Sequence, residues 1–156
     1  MKNLDECIEY YDSPIGILRI AANINGLTAI VFVEERQQSA KPNAVTNMAK
    51  IQLAEYFAGT RQQFDLPSAV QGTDFQRQVW QQLKTIPYGK TSSYQDIARQ
   101  IDNPKAVRAV GSANGKNPLT IVVPCHRVIG ADGSLTGYAW GVSRKAQLLE
   151  LETRNA

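Results

Sequence analysis

The first third of the chain alternates apolar and polar residues with a period of two, as strands do when one face lies on a core. In ECIEYYDSPIGILRIAANINGLTAIVFVE the alternation is interrupted by DSPIG and NING, both turn-forming stretches. The pattern predicts three antiparallel strands near residues 6–12, 16–23 and 27–33. The spacing then lengthens. In NAVTNMAKIQLAEYFAG, Val45, Met48, Ile51, Leu53, Tyr56 and Phe57 recur close to helical spacing, and Gly59 offers a C-cap. Strands followed by one helix make an α+β lobe, and nothing in it carries obvious chemistry.

A polar stretch with Gly and Pro, GTRQQFDLPSAVQG, leads to helical periods. TDFQRQVWQQLKTIPYG offers Thr73 or Asp74 as N-cap and sets Phe75, Val79, Trp80, Leu83 and Ile86 on one face. TSSYQDIARQI opens on Ser/Thr caps and is short. NPKAVRAVGSANGKN places Asn103 as N-cap and Pro104 at the first helical position, which predicts a helix over 104–113. Two helices with so short a link form a helix-turn-helix. GVSRKAQLLELETR closes the chain as an amphipathic helix. The expected division is an N-terminal α/β lobe, 1–72, and a C-terminal helical domain, 73–156, without repeats or low-complexity tracts.

Charge divides along the same line. Residues 1–74 hold six Lys/Arg and nine Asp/Glu, whereas residues 75–145 hold ten and three, a net +7. A basic second half suits a polyanion such as nucleic acid, although solvated lysines on helix faces give the same count. No apolar run reaches membrane-spanning length, and MKNLDECIEY is too polar for a signal peptide, so a cytoplasmic protein without membrane contact is expected. Two cysteines and one histidine, without CxxC spacing, provide no zinc site, and neither a metal nor another cofactor is expected. Cys7 and Cys125 are read as free thiols, and Cys7 receives no role.

Two segments stand out. PKAVRAVGSANGK carries small side chains (Ala106, Ala109, Gly111, Ser112, Ala113) around one long cation, Arg108. Gly inside a helix costs about 1 kcal/mol relative to Ala, so Gly111 needs a reason. A nucleic-acid groove approached closely by the backbone is one; tight helix–helix packing is the other. The second segment, VVPCHRVIG, sets the single histidine, His126, directly after Cys125. A cysteine nucleophile needs help to become a thiolate. Adjacent residues on an extended backbone point apart, so His126 would act through a bridging water, with Glu150 or Glu152 holding the far side of the imidazole. A buried structural Cys beside a core His is the plain alternative.

NPLTIVVPCHRVIG, taken with SYQDIA, NPKAVRAVG and GYAWGVSRKAQLL in this order and spacing, resembles the O6-alkylguanine-DNA alkyltransferases of bacterial type. SPIG and GLTAIVF extend the resemblance, more weakly, into the first half. It implies a ribonuclease-H-like N-terminal lobe and a winged-helix-like helix-turn-helix in the C-terminal lobe. It also implies suicidal repair, in which the alkyl group of O6-alkylguanine or O4-methylthymine in double-stranded DNA passes irreversibly to Cys125. The resemblance assigns His126 as base and Glu152, by its distance from the cysteine, as the orienting carboxylate. Tyr94 becomes the donor to the departing guanine and a DNA contact, and Asn117 the brace of the active-site turn. Arg108 fills the gap left by the flipped nucleotide, while Ala106, Ala109, Gly111 and Ser112 face the minor groove. Tyr138, Ala139, Trp140 and Val128 line the substrate pocket, and Arg127 is structural support. A monomer is expected.

Physical logic agrees with this assignment. The reacting carbon is unreachable inside a base stack, so the base must flip, and the minor groove carries little sequence information. Three departures from the family pattern matter. Ala139 lacks the hydroxyl that some relatives place there, Trp140 adds bulk, and Val107 replaces a smaller Ala. Methyl is therefore the expected group, with benzyl-sized adducts handled poorly. Two other classes fit parts of the pattern. A lesion-binding relative without transfer would lack the cysteine, and a cysteine hydrolase would want a base distant in sequence, which no second histidine provides.

Overall fold

Residues 6–135 and 137–156 are described by the structure, a computed structural model; the polar start weighed above against a signal peptide lies, for residues 1–5, outside them. The chain divides into two compact units between residues 71 and 72.

In the first unit the alternating segments form an antiparallel sheet in the order β1 (Cys7–Ser13), β2 (Gly16–Asn23), β3 (Gly26–Val33). Ile8 and Tyr10 of β1 are buried on one face of the sheet, whereas Leu18 and Ile20 of β2 and their partners Phe32 and Ile30 of β3 fill the other. A register shift between Ala21 and Ala22 buries both and resets the alternation, so that Leu27 joins the core out of phase with Ile30. One helix, α1 (Ala44–Phe57), starts from a capping box between Asn43 and Thr46 and packs on the sheet.

The face it presents differs from the one the apolar spacing suggests. Met48 and Ile51 are 40% and 58% exposed, while Thr46, Ala49, Gln52, Leu53 and Tyr56 are buried. Thr46 Oγ1 donates to Glu9, and the Gln52 amide pairs with both backbone groups of Asp65. Partners distant in sequence thus make two polar side chains core residues.

The second unit begins at α2 (Asp74–Leu83), capped by a Thr73–Gln76 box. After β4 (Ser92–Ser93) comes α3 (Tyr94–Gln100), capped by a Ser93–Asp96 box, and then α4 (Val107–Gly115). A single 3-10 turn (Cys125–Arg127) leads into β5 (Val128–Ile129), which pairs parallel with β4, and α5 (Val142–Asn155) ends the chain. The α3–α4 pair is the expected helix-turn-helix, but α4 begins three residues later than 104. Asn103 is not its N-cap: the Asn103 carbonyl accepts from Ala106 N–H at 3.0 Å, closing a β-turn with Pro104 in its second position. Asn followed by Pro suits that turn as well as it suits a helix start, and here the turn wins. Val79, Trp80, Leu83, Ile97, Val110, Leu119, Val123, Val128 and Leu148 form the core, and Trp80 Nε1 donates to the Ala113 carbonyl, fastening α4 to α2.

Candidate active site

Cys125 lies in the 3-10 turn rather than on extended backbone, because Arg127 N–H donates back to the Pro124 carbonyl at 3.0 Å. The approach to this turn is strained. Ile121, β-branched and buried, holds φ +75°, a conformation that costs about 1–3 kcal/mol. Asn117 clamps it, donating from Nδ2 to Val123 O at 2.8 Å and accepting the Leu119 N–H at 2.9 Å.

Behind the turn is a fully buried ionic cluster. His126 Nε2 is 2.6 Å from Glu152 Oε2, and Arg127 grips the same carboxylate through Nε (2.7 Å to Oε1) and Nη2 (3.1 Å to Oε2). Arg127 Nη1 also donates to Ile86 O at 2.8 Å, and its guanidinium lies 5.6 Å from the Tyr88 ring centroid. Burial opposes the Glu152 charge, but His126 and Arg127 outweigh it and hold the carboxyl down at about 2. Glu152 is therefore ionised and can only accept, which puts the imidazole proton on Nε2. Burial also drives the His126 pKa below its ordinary value, against the pull of Glu152. The imidazole is neutral, and its Nδ1 is a buried acceptor with no hydrogen-bond partner among the described residues. Glu150, the other carboxylate considered for this role, is exposed and pairs with Arg154.

The thiol is also buried. Desolvation raises the Cys125 pKa, while the Asn117 side chain and the Lys145 charge pull it back. Lys145 is a fully buried lysine of α5; its Nζ donates to the Val128 carbonyl and lies 5.9 Å from the Tyr94 ring centroid. Tyr94, first residue of α3, keeps its proton, since burial and Cys125 both raise its pKa. A Cβ on Gly137, which holds φ +71°, would come within 3.1 Å of the Tyr94 hydroxyl, so the backbone at Gly137 passes closely over it. There Tyr138 is buried, Ala139 is exposed, and Trp140 Nε1 donates to Thr120 Oγ1 at 2.7 Å. Burial pushes the Tyr138 phenol far up.

Helix α4 separates two kinds of residue. Val110, Ala113 and Asn114 are buried, whereas Arg108, Ala109 and Ser112 are exposed and Ala106, Val107 and Gly111 half-exposed. A Cβ on Gly111 would meet only the Tyr94 ring, at 3.9 Å, an ordinary contact. Packing inside the unit does not demand this glycine.

Sequence reasoning overlooked two residues. Lys145 shares a helical face with Leu148 and Glu152, so charged residues at three- and four-residue spacing on an apolar face are the signal. Asn114 follows Val110 and Ala113 on the buried face of α4 and donates from Nδ2 to the Cys125 carbonyl at 3.4 Å. Among the described residues no group of three or more His, Cys, Asp or Glu could hold a metal ion, and no helix is long and apolar enough to cross a membrane.

Two family models match the chain: the ribonuclease-like domain of 6-O-methylguanine DNA methyltransferase over residues 7–70, and its DNA binding domain over 74–154. A methylated-DNA–protein-cysteine methyltransferase of Mycolicibacterium paratuberculosis is 49% identical, covering 96% of this chain and 94% of its own. One of Methanosarcina acetivorans is also 49% identical, over 91% and 95%. The crystal structure of Mycobacterium tuberculosis OGT in complex with DNA superimposes with a TM-score of 0.88 at 50% identity, covering 96% of this chain and 94% of that one. The chain therefore belongs to the 6-O-methylguanine DNA methyltransferase family, whose members transfer a methyl group from DNA to a protein cysteine.

Proposed function

We propose that this chain repairs double-stranded DNA in a single irreversible turnover, moving an alkyl group, chiefly methyl, from O6 of guanine to Cys125. The observation that carries this reading is the buried Cys125–His126–Glu152 constellation, with Nδ1 of a neutral His126 uncommitted among the described residues. Burial keeps Cys125 a thiol at rest, so the proton must leave as sulfur attacks. A water between the thiol and Nδ1 carries that proton to His126, and ionised Glu152 steadies the imidazolium. Tyr94 gives its hydroxyl proton to the base, so guanine leaves neutral, and His126 returns a proton to Tyr94. In balance, the S–H and carbon–O6 bonds break, and S–C and guanine N–H bonds form. Nothing cleaves the thioether, so each chain is spent on one alkyl group.

The approach to DNA follows from α4. Its exposed side combines small residues with Arg108, which makes no ion pair among the described residues, and it tolerates no obvious internal reason for Gly111. We read it as the minor-groove face: Ala106, Ala109, Gly111 and Ser112 let the backbone come near, and Arg108 occupies the space of the flipped nucleotide. The neighbouring positive charge supplies sequence-independent phosphate affinity. Tyr138, Ala139, Trp140 and Val128 line the receiving pocket, which also admits O4-methylthymine, and the protein works in the cytoplasm as a monomer. The test is a titration with duplex DNA carrying labelled O6-methylguanine. Transfer should stop at one methyl group per chain and vanish in Cys125→Ser; repeated turnover, or label passing to the Ser variant, overturns the reading.

A further inference from the structure

We propose that Asn114 is a positioning residue for this reaction, its Oδ1 accepting a hydrogen bond from the water that carries the Cys125 proton to His126 Nδ1. The inference rests on the proton relay above. Asn114 is 2% exposed, and its amide orientation is fixed, because only the nitrogen can donate to the Cys125 carbonyl. Oδ1 is thereby left as a buried acceptor with no partner among the described residues, a state that folded proteins rarely leave unmet. His126 Nδ1 is in the same condition. Both acceptors belong to residues joined directly to Cys125, one through its carbonyl and one through the peptide bond.

A single protein donor could satisfy one of them. A water has two hydrogens and can satisfy both while accepting the thiol S–H, giving the three bonds usual for buried water. During transfer it passes one hydrogen to His126 and gains one from sulfur, and its bond to Asn114 persists. The water thus stays aligned without rotating, so Asn114 supplies preorganisation rather than chemistry. The Nδ2 contact does not explain the residue by itself. It is long, at 3.4 Å, and the Cys125 carbonyl also accepts the Val128 N–H.

The experiment is a double-mutant cycle in the full-length chain, reading single-turnover transfer from duplex DNA containing O6-methylguanine. His126→Gln should slow transfer by about 10²-fold, the usual loss for a general base. Asn114→Leu, which preserves shape and leaves the Cys125 carbonyl its Val128 bond, should slow it by about tenfold. The double variant should be no slower than His126→Gln alone, because both residues serve one proton path. Losses that multiply, or an Asn114→Leu variant as fast as the parent, overturn the proposal; a merely structural tie would multiply. If Asn114→Leu does not fold, Asn114→Ala takes its place in the same cycle. A His126→Gln variant at the parental rate refutes the relay itself, and the proposal with it, whereas a slow His126→Gln with multiplying losses refutes only the role of Asn114.

Discussion

Arg127→Met removes the strongest grip on the carboxylate that orients His126. Arg127 makes two contacts to Glu152, at 2.7 and 3.1 Å, and one to Ile86 O at 2.8 Å. Without it the fully buried Glu152 keeps His126 at 2.6 Å and the Gly89 N–H at 3.4 Å. Removing one partner from a buried ion pair costs about 3–5 kcal/mol, because the other charge stays behind uncompensated. His126 responds as well. Arg127 opposes protonation of the imidazole and Glu152 favours it, so losing the guanidinium raises the His126 pKa. Urea unfolding, followed by tryptophan fluorescence, gives the stability loss. The chain has a single histidine, so proton NMR yields one titration curve that belongs to His126. Arg127→Lys should recover only part of either effect, since an ammonium cannot reproduce the fork. A loss below about 1 kcal/mol, or a His126 titration that stays put or moves down, would refute the reasoning.

Three further outcomes follow from the same geometry. On acidification the unfolded chain protonates its histidine near the ordinary 6.5, before buried His126 does, so stability should fall as pH drops below that value. Glu152 adds a second loss as pH falls from the ordinary 4.5 through about 2, on the order of 3 kcal/mol; urea midpoints from pH 7 to 3 that rose instead would contradict both. Arg108→Ala should slow transfer from duplex DNA by about tenfold and leave reaction with free O6-methylguanine and the thermal midpoint unchanged; equal loss on both substrates would exclude a DNA role. Trp140→Ala breaks the bond to Thr120 and removes bulk, so the rate with O6-benzylguanine should rise relative to O6-methylguanine, whereas a parent that already prefers benzyl refutes the size argument.

Legibility in the sequence followed the range of the forces involved. The three strands, the Thr73 and Ser93 caps and the last helix depend on neighbours within a few residues, and their patterns show it. The buried face of α1 does not, because Glu9 and Asp65 decide that Thr46 and Gln52 go inside. The start of α4 was ambiguous for a local reason, since Asn-Pro serves a turn and a helix cap alike. In the site, Cys125 and His126 stand in a motif, and the resemblance selected Glu152. The fork of Arg127 on that glutamate, the buried Lys145 and the Asn114 tie join segments far apart in the chain. Lys145 and Asn114 were still traceable, as polar residues on apolar helix faces.

The central claim is that Cys125, not Cys7, accepts the alkyl group. Peptide mapping by mass spectrometry after reaction with duplex DNA containing O6-methylguanine tests it most directly. The Cys125 peptide should gain one methylene in full yield while the Cys7 peptide stays unchanged. Methylation on Cys7, or lesion binding with no mass change on either peptide, would contradict the account.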